Sequence, residues 1–456
     1  MKLTFGEIKN LFPDHTLTMD NSEPVQGICR DSRTIRKGDI YTAIRGENFD
    51  GHIFLNDCFN KGAKAAFVAK DFRGERNNLV RVDDVVLAMG KLAAYCRGKF
   101  DQPVIAITGS NGKTTTKKLL AHVLGSQGCV IASEGNLNNH IGVPVTVFSF
   151  DAKAQYFIVE MGMSHPGEIK YLTEIVRPNL AVITSVGQAH LEGVGGTLHG
   201  VANAKGELFA ALKGEDTAFV YDDDPYISAM GTKAARVTYG FSNGCDLQAK
   251  DIKTVDDGTV FTVEREQHEV SVRINMTGKH NVQNALAVFA VASHLGLPDD
   301  VIVDGLKSFR IDFNRGRRLC YQNAIVIDDT YNANPDSMMA SFNSLFEEYP
   351  DSYTIGVLGG MLELGKQSLA LHVALGEFLK QKGLNELLVY GAHAEGYLTG
   401  FGYSSQEAKK RLFETHGDLA AVLKDTIGKK EKVVVMLKGS RGMTMEKVLT
   451  TLQSAV

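Results

Sequence analysis

The sequence predicts an α/β protein of three units, and three observations predict it. The chain is too long for one core, strand-length apolar runs alternate with helical stretches along most of it, and the texture shifts to strict alternation only between Cys245 and Asn275. The expected units are a small N-terminal α/β domain (1–84), a central, mostly parallel sheet of phosphate-loop type with a small antiparallel addition (85–316), and a C-terminal Rossmann-like doubly wound domain (317–456). At about 150 residues per domain, 456 residues suit three.

In the first unit, "GDIYTAIRG", "AKAAFVAKD" and "NLVRVDD" are apolar runs of strand length, each stopped by Gly, Asp or charge. "VVLAMGKLAAYCRGKF" has apolar residues at helical spacing and bridges to the next unit. There "VIAIT", "CVIA", "YFIVEMG", "NLAVITSVG" and "TAFVYDDD" read as strands of βαβ units, and ligands bind beyond the carboxyl ends of such strands. "TVFTVEREQHEVSVRI" is the antiparallel addition, and "GKHNVQNALAVFAVASHLG" returns to helix. After the basic "NRGRRL", the runs "AIVIDD", "YTIGVLGG", "ELLVYGAH" and "KVVVMLKGS" repeat the alternation for the third unit.

Composition narrows the function. The apolar share is 44% and the charged share 22%, enough for several cores. A net charge of -4 without a long basic run lacks the footprint of a nucleic-acid binder, so no nucleic-acid partner is expected. Six scattered cysteines with no CxxC pair read as small core residues in a reducing compartment. "MKLTFGEIKNLFP" lacks the apolar core of a signal peptide and no segment approaches the ~20 apolar residues of a membrane span, so a cytoplasmic protein without membrane insertion is expected.

The sharpest local signal is "ITGSNGKTTTK", Ile107 to Lys117, between a strand and a helix. Helix-start amides are unpaired and the dipole adds partial positive charge, so phosphate is favoured there. Gly109, Ser110, Asn111 and Gly112 form the loop, Lys113 supplies a point charge, and the hydroxyls of Thr114 and Thr115 follow, Thr114 suiting Mg²⁺. The spacing is shorter than GxxxxGK[ST], which would place Gly at Ile107. ATP is the expected ligand. Glu160, after its strand, is a natural oxygen ligand for Mg²⁺, whereas His190 reads equally as a hydrogen-bonding core or loop histidine. Lys205, on a helix, reads by default as a solvated surface lysine or an ion-pair partner.

These stretches carry a family resemblance. "TGSNGKTTTK", "EGNLNNHIGVP", "VEMGMSHPGEI", "SVGQAHLEGVGG", "AKGEL", "GKHNVQNALA", "DDTYNANPDSM", "VLGGMLELG" and "LKGSRGMTMEKV" stand in the order typical of the Mur ligases of bacterial cell-wall synthesis. The N-terminal "CRDSRTIRKGDIYTAIRGENFDGHIFL" resembles that family's uridine-nucleotide domain, so the likeness spans nearly the whole chain. It implies an ATP-dependent amide ligase working through an acyl phosphate, with two Mg²⁺ ions. "DSRTIRKGD", "GENFDGH" and "KGSRGMTME" point to the branch that joins D-alanyl-D-alanine to UDP-N-acetylmuramoyl-tripeptide.

Residue by residue, the resemblance implies that Glu160 and His190 help hold Mg²⁺ and that Lys205 is carbamylated by CO₂, which reverses its surface reading. Asn281, Asp328 or Asp329, Tyr331 and Asn332 match nucleotide contacts, and Arg317 the Gly-Arg of the domain junction. Lys438, Ser440 and Arg441 would face the incoming dipeptide; Asn136, Asn138, Asn139 and His140 would lie near the sugar diphosphate; and Asp31, Ser32, Arg33 and Asn48 belong to the uridine-nucleotide motif. Either His190 or a nearby carboxylate would take the proton of the attacking amine. A monomer is expected. The third residue of the tripeptide, lysine or diaminopimelate, stays open. Two other readings remain: another Mur ligase or folylpolyglutamate-synthase-like ligase, and a nucleotide-operated switch that makes no bond.

Overall fold

The computed structural model describes residues 3–47, 49–151, 153–255, 258–266, 268–310 and 314–454. Among these, three sheets follow one another along the chain. The first has four parallel strands in chain order, Ile28–Cys29, Ile40–Thr42, Ala65–Ala69 and Leu79–Val82. Helix Phe5–Leu11 precedes it and starts on a capping box in which Thr4 Oγ1 accepts from the Glu7 amide while the Glu7 carboxylate accepts from that of Thr4.

Helix Val85–Arg97 leads into the second unit, its first turn capped by Asp84, which accepts from Val86 N and Leu87 N. Its last residue, Arg97, is buried and donates to the carbonyls of Val176 (2.5 Å), Phe100 (2.6 Å) and Arg177 (2.7 Å). Burial, with the charge of Arg177 nearby, lowers its pKa to about 10. A buried guanidinium is tolerated where its fork is filled by acceptors, and here that pins the helix end to the central unit.

The second sheet runs, edge to edge, His268–Ile274, Gly258–Arg265, Leu247–Val255, Ala235–Gly240, Thr217–Tyr221, Leu180–Ile183, Val104–Thr108, Tyr156–Glu160, Val130–Ala132. Only the pairings among the first three strands of this order are antiparallel. Val104–Thr108 is fully buried and faces two cores: Val104 and Ala106 pack into one, Ile105 and Ile107 into the other, beside helix Lys279–His294, which is buried without a break from Asn284 to Ala292. That two-sided burial is why the parallel strands read as unbroken apolar runs. The chain continues from Val104–Thr108 to strands on one side and then crosses to Leu180–Ile183 on the other, which opens a crevice at the carboxyl end of Val104–Thr108. Ala235–Gly240, which links the hairpins to the sheet, escapes a reading by apolar runs because its first residues are exposed.

The third sheet holds parallel strands Ala324–Asp329, Val433–Lys438, Tyr353–Gly359, Glu386–Tyr390 and Leu412–Phe413. Arg317–Tyr321, within the stretch that reads as a basic junction, is an antiparallel edge strand on Ala324–Asp329. All six cysteines are free; Cys58 and Cys96 are core residues as expected, but Cys129 and Cys320 are exposed, which corrects the uniform core reading. Among the described residues no helix is long and apolar enough to cross a membrane.

Candidate active site

The loop between strand Val104–Thr108 and helix Lys113–Gly125 sits in that crevice. Gly109 and Gly112 have φ of 149° and 82°. A Cβ would stand 2.0 Å from Thr184 Oγ1 at Gly109 and 2.4 Å from Asn284 Oδ1 at Gly112, so both positions exclude side chains. Among the described residues no side chain caps the helix, leaving its first amides for an anion. The neighbouring strand end clamps the loop: Ser110 N donates to Ser185 O (2.8 Å), Asn111 N to Ser185 Oγ (2.9 Å), and Ser110 Oγ to Gly187 O (3.1 Å). Lys113 Nζ folds back onto Gly109 O at 2.5 Å. Thr115 lines the same cleft.

Glu160 ends strand Tyr156–Glu160 beside this loop and is 1% exposed. Its Oε2 accepts from Thr114 Oγ1 and from Lys117 Nζ, both at 2.9 Å, and its Oε1 from Asn138 Nδ2 at 2.9 Å. Burial by itself would raise this carboxyl's pKa, but the ammoniums of Lys117 and Lys113, with the hydrogen bonds, outweigh it and hold the pKa below the ordinary value. A hydroxyl and a carboxylate next to a phosphate loop are the hard oxygen donors that Mg²⁺ takes. Among the described residues no three His, Cys, Asp or Glu side chains cluster as a metal site, so a cation here would draw further ligands from phosphate oxygens.

Lys205 is 1% exposed on helix Leu198–Ala210, with no hydrogen bond or ion pair among the described residues, so the surface reading is wrong. Burial first, and then the charge of Lys113, push its pKa well below the usual value. His190 lines the cleft in a left-handed conformation, φ 56°, and its Nδ1 meets the Glu363 carboxylate of the third unit.

Across a cleft of about 830 Å³, the third unit supplies the opposite wall. Asp329 lines it, bonded to Lys438 Nζ at 2.5 Å and Ser341 Oγ at 2.7 Å. Asp328 is instead buried and accepts from Thr330 Oγ1 at 2.7 Å, which separates the two candidate carboxylates. The Arg315 guanidinium lies 3.7 Å over the Tyr331 ring. Asn332 accepts from Arg441 N at 3.3 Å, and Arg441 pairs with Glu446 at 2.8 Å. Lys438 is buried against Asp329, and Ser440 ties loops together, accepting from Leu362 N (2.8 Å) and donating to Ala333 O (3.2 Å). Arg315 and Arg318 line the cleft where Arg317 was expected: Arg318 follows Arg317 on strand Arg317–Tyr321 and takes the opposite side, and Arg315 precedes the strand. Asn281, Asn136, Asn138, Asn139 and His140 all line the cleft. Asp31, Ser32 and Arg33 do not; Asp31 pairs with Arg33 at 2.6 Å within their own turn. Asn48 lies outside the described residues.

Several contributors escaped the sequence reading: Lys117, Asn284, Asn334, Asp336 and Glu363. A signal existed for Lys117, which stands four residues after Lys113 on one helix face. Asn334 exchanges amide hydrogen bonds with Asn111 of the phosphate loop, at 2.8 and 3.3 Å, and Asp336 accepts from Gln188 N at 2.6 Å. Contacts between units leave no local pattern.

Comparison with known proteins gives a consistent result. Residues 24–97 match the family model described as Mur ligase family, catalytic domain; 107–292 match Mur ligase middle domain; and 314–441 match Mur ligase, glutamate ligase domain. The UDP-N-acetylmuramoyl-tripeptide–D-alanyl-D-alanine ligase of Escherichia coli K12 is 34% identical over 436 residues, 94% of each chain. A crystal structure of MurF from Acinetobacter baumannii superposes with a TM-score of 0.90 at 30% identity, covering 100% of this chain and 99% of that one. MurF of Thermotoga maritima in complex with ADP superposes with a TM-score of 0.83 at 28% identity, covering 95% and 99%.

Proposed function

The chain belongs to the Mur ligase family, and from that premise we infer that it is the ATP-dependent ligase joining D-alanyl-D-alanine to UDP-N-acetylmuramoyl-tripeptide in peptidoglycan precursor synthesis. One observation carries the chemistry. The phosphate loop with Glu160, the Asn136–His140 stretch, and the Asp329, Tyr331 and Arg441 wall of the third unit all open into a single cleft.

A carboxylate is a poor acyl donor, since oxide would have to leave. The tripeptide carboxylate oxygen attacks the γ-phosphorus of ATP, the bond to the bridging oxygen breaks, and ADP departs, leaving an acyl phosphate. The dipeptide amine then attacks the carbonyl carbon, loses a proton, and expels phosphate. Phosphoryl transfer asks the protein for in-line positioning and charge neutralisation, and we assign these to the loop amides, Lys113 and the junction arginines that line the cleft, Arg315 and Arg318. Thr114, Glu160, His190 and the carbamate of Lys205 are the groups we assign to Mg²⁺, which when bound neutralises charge on the phosphoryl oxygens. Carbamylation fits the surroundings of Lys205. Burial pushes the pKa of this amine down and so favours its uncharged form, whose nitrogen can add to CO₂ and release a proton, giving an oxygen-donor anion.

Mass spectrometry tests the whole reading. With ATP, D-alanyl-D-alanine and either UDP-tripeptide, the product should gain one dipeptide and ADP should form in equal amount. The preferred tripeptide, lysine or diaminopimelate, is read from the same experiment. ADP release without either acceptor, as a nucleotide switch would give, overturns it.

A further inference from the structure

Lys117 has no part in the assignments above, yet it is placed like a component of the site. Its side chain and that of Glu160 are each 2% exposed and meet at 2.9 Å, and its Nζ also donates to Gly135 O at 3.2 Å. Thr114 and Lys117 are three residues apart on helix Lys113–Gly125, so the hydroxyl and the ammonium converge on the same oxygen, Glu160 Oε2. Lys113, the other cation of the loop, is turned onto the carbonyls of Gly109 and Ser110. The counter-charge in contact with the buried carboxylate is therefore that of Lys117.

We propose that Lys117 is a positioning residue that holds Glu160 as a built-in stand-in for the divalent cation, and so sets how tightly the metal is taken up. The inference rests on the assignment of Glu160 to Mg²⁺. A buried carboxylate without a partner is strongly unfavourable, so the loop needs a fixed cation whenever no metal is bound. That same cation competes with an incoming metal for Oε2. Removing it should weaken the metal-free protein and tighten metal binding, whereas a side chain that served packing alone would lose stability equally with and without metal.

The test is thermal melting of the full chain with ADP, in EDTA and across a Mg²⁺ titration, backed by direct Mn²⁺ binding. For Lys117→Met the melting temperature in EDTA should fall below that of the unaltered chain, Mg²⁺ should restore it, and the midpoint of the Mg²⁺ response should drop at least tenfold. Lys117→Arg, which keeps the cation, should behave like the unaltered chain. An equal loss with and without Mg²⁺, or metal affinity unchanged or weaker in Lys117→Met, overturns the proposal. Lys117→Gln is the second variant should Lys117→Met not fold in EDTA, and failure of both to fold even in Mg²⁺ also overturns it, since the metal should replace the ammonium. Glu160→Gln separates the two levels: if it leaves Mn²⁺ binding intact, the assignment of Glu160 to the metal fails first, independently of Lys117.

Discussion

Lys205 shows how burial rewrites the chemistry of a residue. On a solvated helix face it would be a cation; sealed from water and near Lys113 its charged form is disfavoured, which favours the uncharged amine. Lys205→Ala is expected to keep the fold, seen as an unchanged circular dichroism spectrum, while turnover measured by ADP release falls by roughly 10²–10³-fold, the scale of losing one preorganised group at developing charge. Short-chain carboxylic acids should restore part of the rate by supplying the missing oxygen anion. Full activity in the variant would remove Lys205 from the site. Asp328 and Asp329 make the same point in reverse, because adjacent carboxylates on one strand face opposite ways and only Asp329 reaches the cleft.

Among elements, helix Pro335–Glu348 joins stability to the site. Its N-cap, Asn334, accepts from Ser337 N at 2.9 Å and also exchanges amide hydrogen bonds with Asn111 of the phosphate loop. Asn334→Ala should cost about 1–2 kcal/mol, the usual loss of a cap, and weaken ADP binding severalfold. Asn334→Ser keeps a capping oxygen but cannot reach Asn111 with a paired amide, so chemical denaturation should show recovered stability while calorimetric ADP affinity stays low. If both properties recover together, the amide pair does not position the loop. The phosphate loop and the parallel strands were legible in the sequence because glycines, a lysine and unbroken apolar runs are signals within a few residues of one another. The edge strands Ile28–Cys29 and Arg317–Tyr321 were not, since short or exposed strands carry no apolar run.

At the scale of the molecule, polar contacts tie the third unit to the second. Arg318, paired with Glu348 at 2.6 Å within the third unit, donates to Thr277 Oγ1 of the second at 3.2 Å, and Gln367 Nε2 donates to Gly196 O at 2.6 Å. Asn314 and Gly316, at the junction, have φ of 66° and 80°. An acyl phosphate must be kept from water, so we propose that the third unit swings about residues 314–318 and closes on bound substrates. The radius of gyration from solution scattering should fall when ATP analogue and UDP-tripeptide are added, and Arg318→Ala should enlarge the ligand-free particle. Identical scattering profiles in all states would rule the swing out.

The sequence by itself determined the α/β architecture, the phosphate loop, and the order of the site segments, because periodicity and turn chemistry act over a few residues. Only the tertiary structure decided which groups meet: Lys117 with Glu160, Asp329 with Lys438 at a separation of 109 residues, His190 with Glu363 at 173, and Asn111 with Asn334 at 223. Such pairs depend on how sheets and loops dock, and docking leaves no mark in the spacing of either partner. A buried charge then selects its counter-charge from whatever the docked surfaces present, which no local reading supplies.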